Sequence, residues 1–253
     1  MDLSYEIITF LFFIAILAGF IDSIAGGGGL ILIPVLMLLG FSPVHALGTS
    51  KFQSVFGKLS SVRYFYTRGE YEFKKLIFPL LICFISSLLG AYAIQQIDAQ
   101  ILHKALPWLI GLIACYFIFA KNLSNTNNTQ RMNNKLFWLL IVPVIAFYDG
   151  FFGPASGSFF IICFMSLLGL GAVSATAHTR LFLLVSNIAA LITFAYFNHV
   201  VWYAGAVMAV GAWIGARYGS EVVHRKGIKI IKPLMLLICF VLIIKLLLKS
   251  EGL

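Results

Sequence analysis

The sequence predicts an all-α integral membrane protein made of two inverted-topology repeats, with about eight to ten helical segments, some broken inside the bilayer. Three observations carry this. Apolar residues make up 61% of the 253 positions and charged residues 11%, whereas a soluble domain carries about 25% charged residues. Apolar runs of near-spanning length recur along the whole chain. One motif, an aspartate followed by a glycine cluster, occurs twice, on either side of a polar linker.

The runs 7–21, 76–94, 105–120, 201–216 and 234–248 are nearly free of charge and approach the roughly 20 residues that cross a hydrocarbon core at 1.5 Å each. Residues 7–40 are apolar apart from Asp22. That stretch is too long for one span and short for two. Gly26, Gly27, Gly28 and Gly29 interrupt it, and each glycine in a helix interior costs about 1 kcal/mol relative to alanine. The helix is therefore expected to stop near Ala25 and restart near Gly29 as a discontinuous or re-entrant segment. The second half repeats the plan: a helix over 136–150, a break at Gly153-Pro154, and a short piece ending at Gly169, the interruption spanning Gly153–Ser158.

Between the halves, Lys121–Lys135 reads KNLSNTNNTQRMNNK, polar and without apolar period. It divides the chain into a first repeat (1–120), a linker (121–135) and a second repeat (136–253). Asp22 matches Asp149, Lys51 matches Arg180, Lys58 matches Asn187, Leu38-Leu39-Gly40 matches Leu167-Leu168-Gly169, and Gly69-Glu70 matches Asn198-His199. Equivalent loops differ in charge. The loop near 67–75 carries Arg68, Lys74 and Lys75, and its counterpart near 198–200 carries no Lys or Arg. The segment 217–232 is basic, and its counterpart near 97–104 has one Lys. Basic loops face the cytoplasm, so equivalent loops lie on opposite sides, the linker is cytoplasmic and both termini are external. This also accounts for the net charge of +9 without nucleic acid as a partner.

Broken backbone at membrane depth is tolerated only inside protein or beside a wet cavity. Restarted helices also offer free N–H groups and a positive dipole end to an anion. Ionisable groups at that depth are costly and are paired or functional. The expected substrate site for a small anion therefore comprises Gly26–Gly29, Thr49, Ser50 and Lys51 from the first half, and Gly153, Ser156, Gly157, Ser158, His178, Thr179, Arg180 and Asn187 from the second. Asp22 and Asp149 are coupling or ion-pairing groups. The alternative for the charges is structural, as Asp22–Lys51 and Asp149–Arg180 pairs. Gln53 points about 200° from Lys51 and is the weaker candidate. Lys58 and Arg63 read as orientation signals. Cys83, Cys115, Cys163 and Cys239 sit singly in apolar segments and read as small apolar filler; no metal or other cofactor is expected. The N-terminus lacks a basic n-region and a small-residue cleavage site, so the first apolar segment is expected to be retained.

Ala18-Gly19-Phe20-Ile21-Asp22-Ser23-Ile24-Ala25-Gly26-Gly27-Gly28-Gly29-Leu30 resembles the first-half signature of the TauE/SafE sulfite exporter family. Phe147-Tyr148-Asp149-Gly150-Phe151-Phe152-Gly153-Pro154 resembles its second-half signature, and Ala175-Thr176-Ala177-His178-Thr179-Arg180 with Ser186-Asn187 resembles a further family pattern. The likeness covers essentially the whole chain and is nearest to a bacterial branch of probable membrane transporters. It implies a multi-pass inner-membrane secondary transporter, not an enzyme, that exports sulfite or organosulfonate-type anions and has only the bilayer and its substrate as required partners; a homodimer is compatible with it. His178 stands where many members carry Thr or Asn.

Two other readings compete. A passive anion channel would share the same site. An intramembrane serine hydrolase would use Ser156 with His178 as base, but the serine sits one place late for a G-x-S-x-G elbow. No ATP-binding motif is present.

Overall fold

The computed structural model describes residues 4–98, 100–102 and 129–226. The expected spans 105–120 and 234–248, with Cys115 and Cys239 inside them, and most of the linker lie outside the described residues. The described residues form helices α1 (Tyr5–Ala25), α2 (Gly28–Leu38), α3 (Pro43–Tyr66), α4 (Phe73–Gln95), α5 (Asn134–Phe151), α6 (Ser156–Ser166), α7 (Ala172–Tyr196) and α8 (Trp202–Lys226).

Local chemistry sets many of these boundaries. Ser4 caps α1 by accepting the Ile7 N–H. Ser42 caps α3 from His45, with Pro43 in the first turn, where its missing N–H costs nothing. Within α5 the backbone widens to a π turn over Phe137–Ile141 before continuing from Val142. Pro143 follows directly; its ring would clash with the carbonyl four residues back, and the wider turn relieves that.

Four helices, α1, α4, α5 and α7, are long and apolar enough to cross a membrane. Helices α3 and α8 are as long, at 24 and 25 residues, but α3 carries Ser50, Lys51, Gln53, Lys58, Ser60 and Ser61, all buried. Its polarity faces protein. The large exposed apolar side chains lie mainly on α1, α4, α5, α7 and α8, including Phe13, Ile77, Leu81, Val144, Ile192 and Val210. They form the surface that lipid would wet. Helices α2 and α6 have eleven residues each, about 16 Å, half of a hydrocarbon core.

The packing partners exchange between halves. Helix α1 lies on α8 as α5 lies on α4; α3 packs on α8 as α7 packs on α4; α3 and α7 pack on each other at the centre. At one end, Glu70 meets His224 at 3.8 Å, and the guanidiniums of Arg68 and Arg217 both lie over the Tyr64 ring. The backbone N–H groups of Arg131 and Met132 reach the Leu167 carbonyl, and the His178 ring joins that region through Tyr71. At the other end, His45 and His199 lie 5.2 Å apart, and His199 Nδ1 donates to Gln95 Oε1 at 2.6 Å. The basic segments around Arg68, Arg131 and Arg225 thus share an end.

Candidate functional site

The glycine breaks meet back to back. Helix α1 ends in Gly26, whose φ of 77° is open to glycine but strained for other residues. A Cβ there would lie 2.5 Å from the Gly157 Cα, so the two breaks touch backbone to backbone. The Ser158 hydroxyl donates to the Ala25 carbonyl across this contact. Gly153 takes φ 97°, and a Cβ on it would lie 2.7 Å from Lys51 Nζ. Absence of a side chain at Gly153 is what lets the lysine reach the second break.

Each aspartate sits beside its break, and each pairs with the cation of the other half. Lys51 lies 3.3 Å from Asp149 Oδ2 and also donates to the Asp149 backbone carbonyl. Arg180 Nη1 lies 3.5 Å from Asp22 Oδ2, and Lys58 reaches the same oxygen at 3.2 Å. The pairing is crossed, not the Asp22–Lys51 and Asp149–Arg180 arrangement that proximity within each half suggests. Lys58 is not a loop-side orientation signal: it is 5% exposed and ion-paired. It stands seven residues after Lys51, two helical turns along the same face, and its match to Asn187 was the signal that could have placed it in the site.

The surroundings of the two carboxylates differ. Asp149 accepts from Ser156 Oγ at 2.5 Å, Ser186 Oγ at 2.6 Å and Asn187 Nδ2 at 3.0 Å, besides Lys51. Asp22 accepts the Gly28 N–H at 3.1 Å and otherwise faces Lys58 and Arg180. The first N–H of α2, which the sequence leaves free for an anion, is therefore filled by the chain's own carboxylate, the charge that a helix N-terminus favours.

With every group in its usual charge state, three cations face two carboxylates. Arg180 is fully buried, yet none of Nε, Nη1 and Nη2 has a hydrogen-bond partner, and Thr179 Oγ1 is likewise without one. A buried unsatisfied donor costs roughly 1–3 kcal/mol, more when charged. This guanidinium offers five such donors in a planar fork.

Between the two carboxylates lies a small polar cavity of about 20 Å³, lined by Asp22, Lys58, Ser50 and Ser54 on one side and Asp149, Ser156 and Asn187 on the other, with Gly26, Gly29, Lys51 and Gly153 in its walls. That is room for about one water.

Of the expected site residues, Gly26, Gly29, Ser50, Lys51, Gly153, Ser156 and Asn187 line the cavity, and Arg180 joins it through Asp22. Gly27 and Gly28 form the start of α2, and Gly157 and Ser158 form the joint between the breaks. Thr49 accepts the Val201 N–H at 3.1 Å and ties α3 to the start of α8. His178 sits apart from the cavity lining: its Nδ1 bonds to the Ser174 carbonyl at 2.8 Å and its ring packs on Tyr71 and Phe164. Ser156 is committed to Asp149, so a Ser156–His178 dyad has no support in this geometry. Gln53 is buried and donates to Ser54 at 2.9 Å, with its Oε1 unpartnered.

The family model for "Sulfite exporter TauE/SafE" matches residues 11–246. A "Probable membrane transporter protein ORF9" from Sinorhizobium sp is 40% identical, covering 97% of this chain and 94% of its own length. The "Probable membrane transporter protein YfcA" of Escherichia coli (strain K12) is 42% identical over 96% of this chain and 90% of its own. A "Probable membrane transporter protein" of Haemophilus influenzae is 39% identical over 97% and 96%. No solved structure matches.

Proposed function

The chain belongs to the TauE/SafE sulfite exporter family and is a membrane transporter; from that premise we propose that it is a secondary transporter, in the direction of export, of small anions of the sulfite or organosulfonate type. The anion binds between two inverted repeats, where the helix breaks meet. One observation carries this reading: a surplus of buried cations at the paired breaks, headed by the Arg180 guanidinium, whose hydrogen bonds are all unmade. Buried ionisable groups in a membrane are expensive, and a fork of unused N–H donors matches an oxyanion with two or more oxygens.

The repeat reading is supported by the exchanged packing of α1 and α5. It is supported too by three equivalent pairs that adopt left-handed backbone, Gly26 with Gly153, Gly40 with Gly169, and Gly69 with Asn198. An inner-membrane orientation with the basic end cytoplasmic follows from the positive-inside rule. A cavity of about 20 Å³ favours a carrier that must rearrange over a channel with a standing pore.

The test is uptake of labelled sulfite and methanesulfonate into proteoliposomes by the wild type and by Arg180→Lys. The variant keeps the charge beside Asp22 and loses the fork. Uptake by the wild type with at least about tenfold loss in the variant is expected. Equal uptake in both would overturn the assignment of Arg180 to the anion.

A further inference from the structure

The two halves hold their aspartates in unequal ways. Around Asp149 stand Ser156, Ser186 and Asn187, neutral donors, and one cation, Lys51. The matching positions in the first half are Gly28, which begins α2 as Ser156 begins α6, Gly57 and Lys58, with Arg180 as the crossed cation. Asp149 is therefore saturated: one carboxylate, one cation and three neutral hydrogen bonds. Asp22 has two cations and a single neutral donor, the Gly28 N–H. The surplus positive charge of the site belongs to the Asp22 half.

Two further features point to a ligand there. Arg180 is 0% exposed, and its three nitrogens have no hydrogen-bond partner. Lys58 lines the polar cavity beside Asp22 together with Ser50 and Ser54. Both cations flank Asp22 Oδ2, so an anion admitted when the one-water cavity widens meets them together.

Resting on the reading of the protein as an anion transporter, we propose that the site takes a monovalent anion at the Arg180–Lys58 cluster and carries it without a coupling ion, one negative charge crossing per turnover. The empty site holds one positive charge more than its carboxylates neutralise, and the loaded site is neutral. A divalent anion would leave a buried net negative charge, which a low-dielectric interior disfavours. No proton is required: Asp149 is fully bonded as a carboxylate, and Asp22 keeps its cations when the anion arrives. A membrane potential negative inside then drives the anion outward, at about 2.3 kcal/mol per 100 mV for each charge. The resulting preference is for bisulfite and simple sulfonates over doubly charged sulfur anions.

The experiment uses the full chain in proteoliposomes with potentials clamped by potassium and valinomycin, a trapped pH dye, and methanesulfonate, sulfoacetate and sulfate as probes. Methanesulfonate flux should respond to the imposed potential, balancing a tenfold gradient at about 59 mV, the value for a single charge. The lumen pH should not change, and sulfoacetate and sulfate should move far more slowly. Lys58→Asn reproduces the neutral donor of the second half and removes the surplus. It should lose methanesulfonate flux by at least about tenfold while its unfolding temperature stays near that of the wild type, since the introduced amide can bond Asp22 as Asn187 bonds Asp149. Potential-independent flux, acidification of the lumen, or a preference for the divalent probes would overturn the inference with transport itself intact. Movement of no probe by the wild type would instead remove the sulfur-anion reading and this one with it. If Lys58→Asn fails to fold, the charge per turnover of the wild type still decides.

Discussion

Lys51 and Asp149 are both almost fully buried and lie 3.3 Å apart, so each compensates the other's charge. Removing one partner of such a pair leaves an uncompensated charge and costs about 3–5 kcal/mol. Lys51→Ala should therefore lower the stability of the purified protein in detergent by that order, and Lys51→Ala with Asp149→Asn should recover a large part of it. Thermal unfolding of the singles and the double, read as a double-mutant cycle, checks this; additive losses would mean that the two side chains do not act as a pair. At this scale the identities of Asp22, Lys51, Asp149 and Arg180 were legible, because charges are rare in so apolar a chain. Which cation meets which aspartate was not. Sequence neighbourhood favours partners in the same half, whereas the contact between the breaks brings together opposite halves. Lys58 was misread because charge near a basic loop is usually solvated, and only its helical phase with Lys51 places it inside.

Helix ends were readable where backbone chemistry is local. The first break was expected between Ala25 and Gly29 and lies between Ala25 and Gly28. The second was expected after residue 150, and α5 ends at Phe151. Less legible was how glycines set helix contact. Helix α8 lays Gly211, Gly215 and Gly219 against α1, and a Cβ on Gly215 would fall 1.9 Å from the Ile16 carbonyl oxygen. Gly215→Ala must push the helices apart and should cost about 1–3 kcal/mol. Gly171→Ala, where nothing lies within 4 Å of the added Cβ, should be near neutral. A comparison of the two unfolding temperatures separates packing from glycine content. The α7–α8 connection gives a pH test. Burial, and next the charge of nearby His45, hold His199 below its ordinary range. A histidine depressed in the folded state stabilises the fold at pH values above its unfolded pKa, and that contribution is lost as pH falls through the folded value. Acidification through the histidine range should lower the unfolding temperature, and His199→Gln should flatten that part of the profile.

For the molecule as a whole, the orientation we propose rests on where the basic segments gather. The loop carrying Arg68 and the end of α8 carrying Arg225 meet at one end, and His199 lies at the other. The loops at Gly69 and Asn198 therefore sit at opposite ends, although each follows a long central helix. The apolar content made a helical membrane protein readable in the sequence, but the size of the cavity was not, since residue order carries no record of how tightly the helix breaks meet. Single cysteines at Arg68 and Asn198 in a background with Cys83, Cys115, Cys163 and Cys239 replaced by alanine or serine test the orientation. In intact cells a membrane-impermeant maleimide should label Asn198→Cys but not Arg68→Cys, and in inside-out vesicles the preference should reverse. Labelling of both from the same side would remove the proposed inversion between the halves.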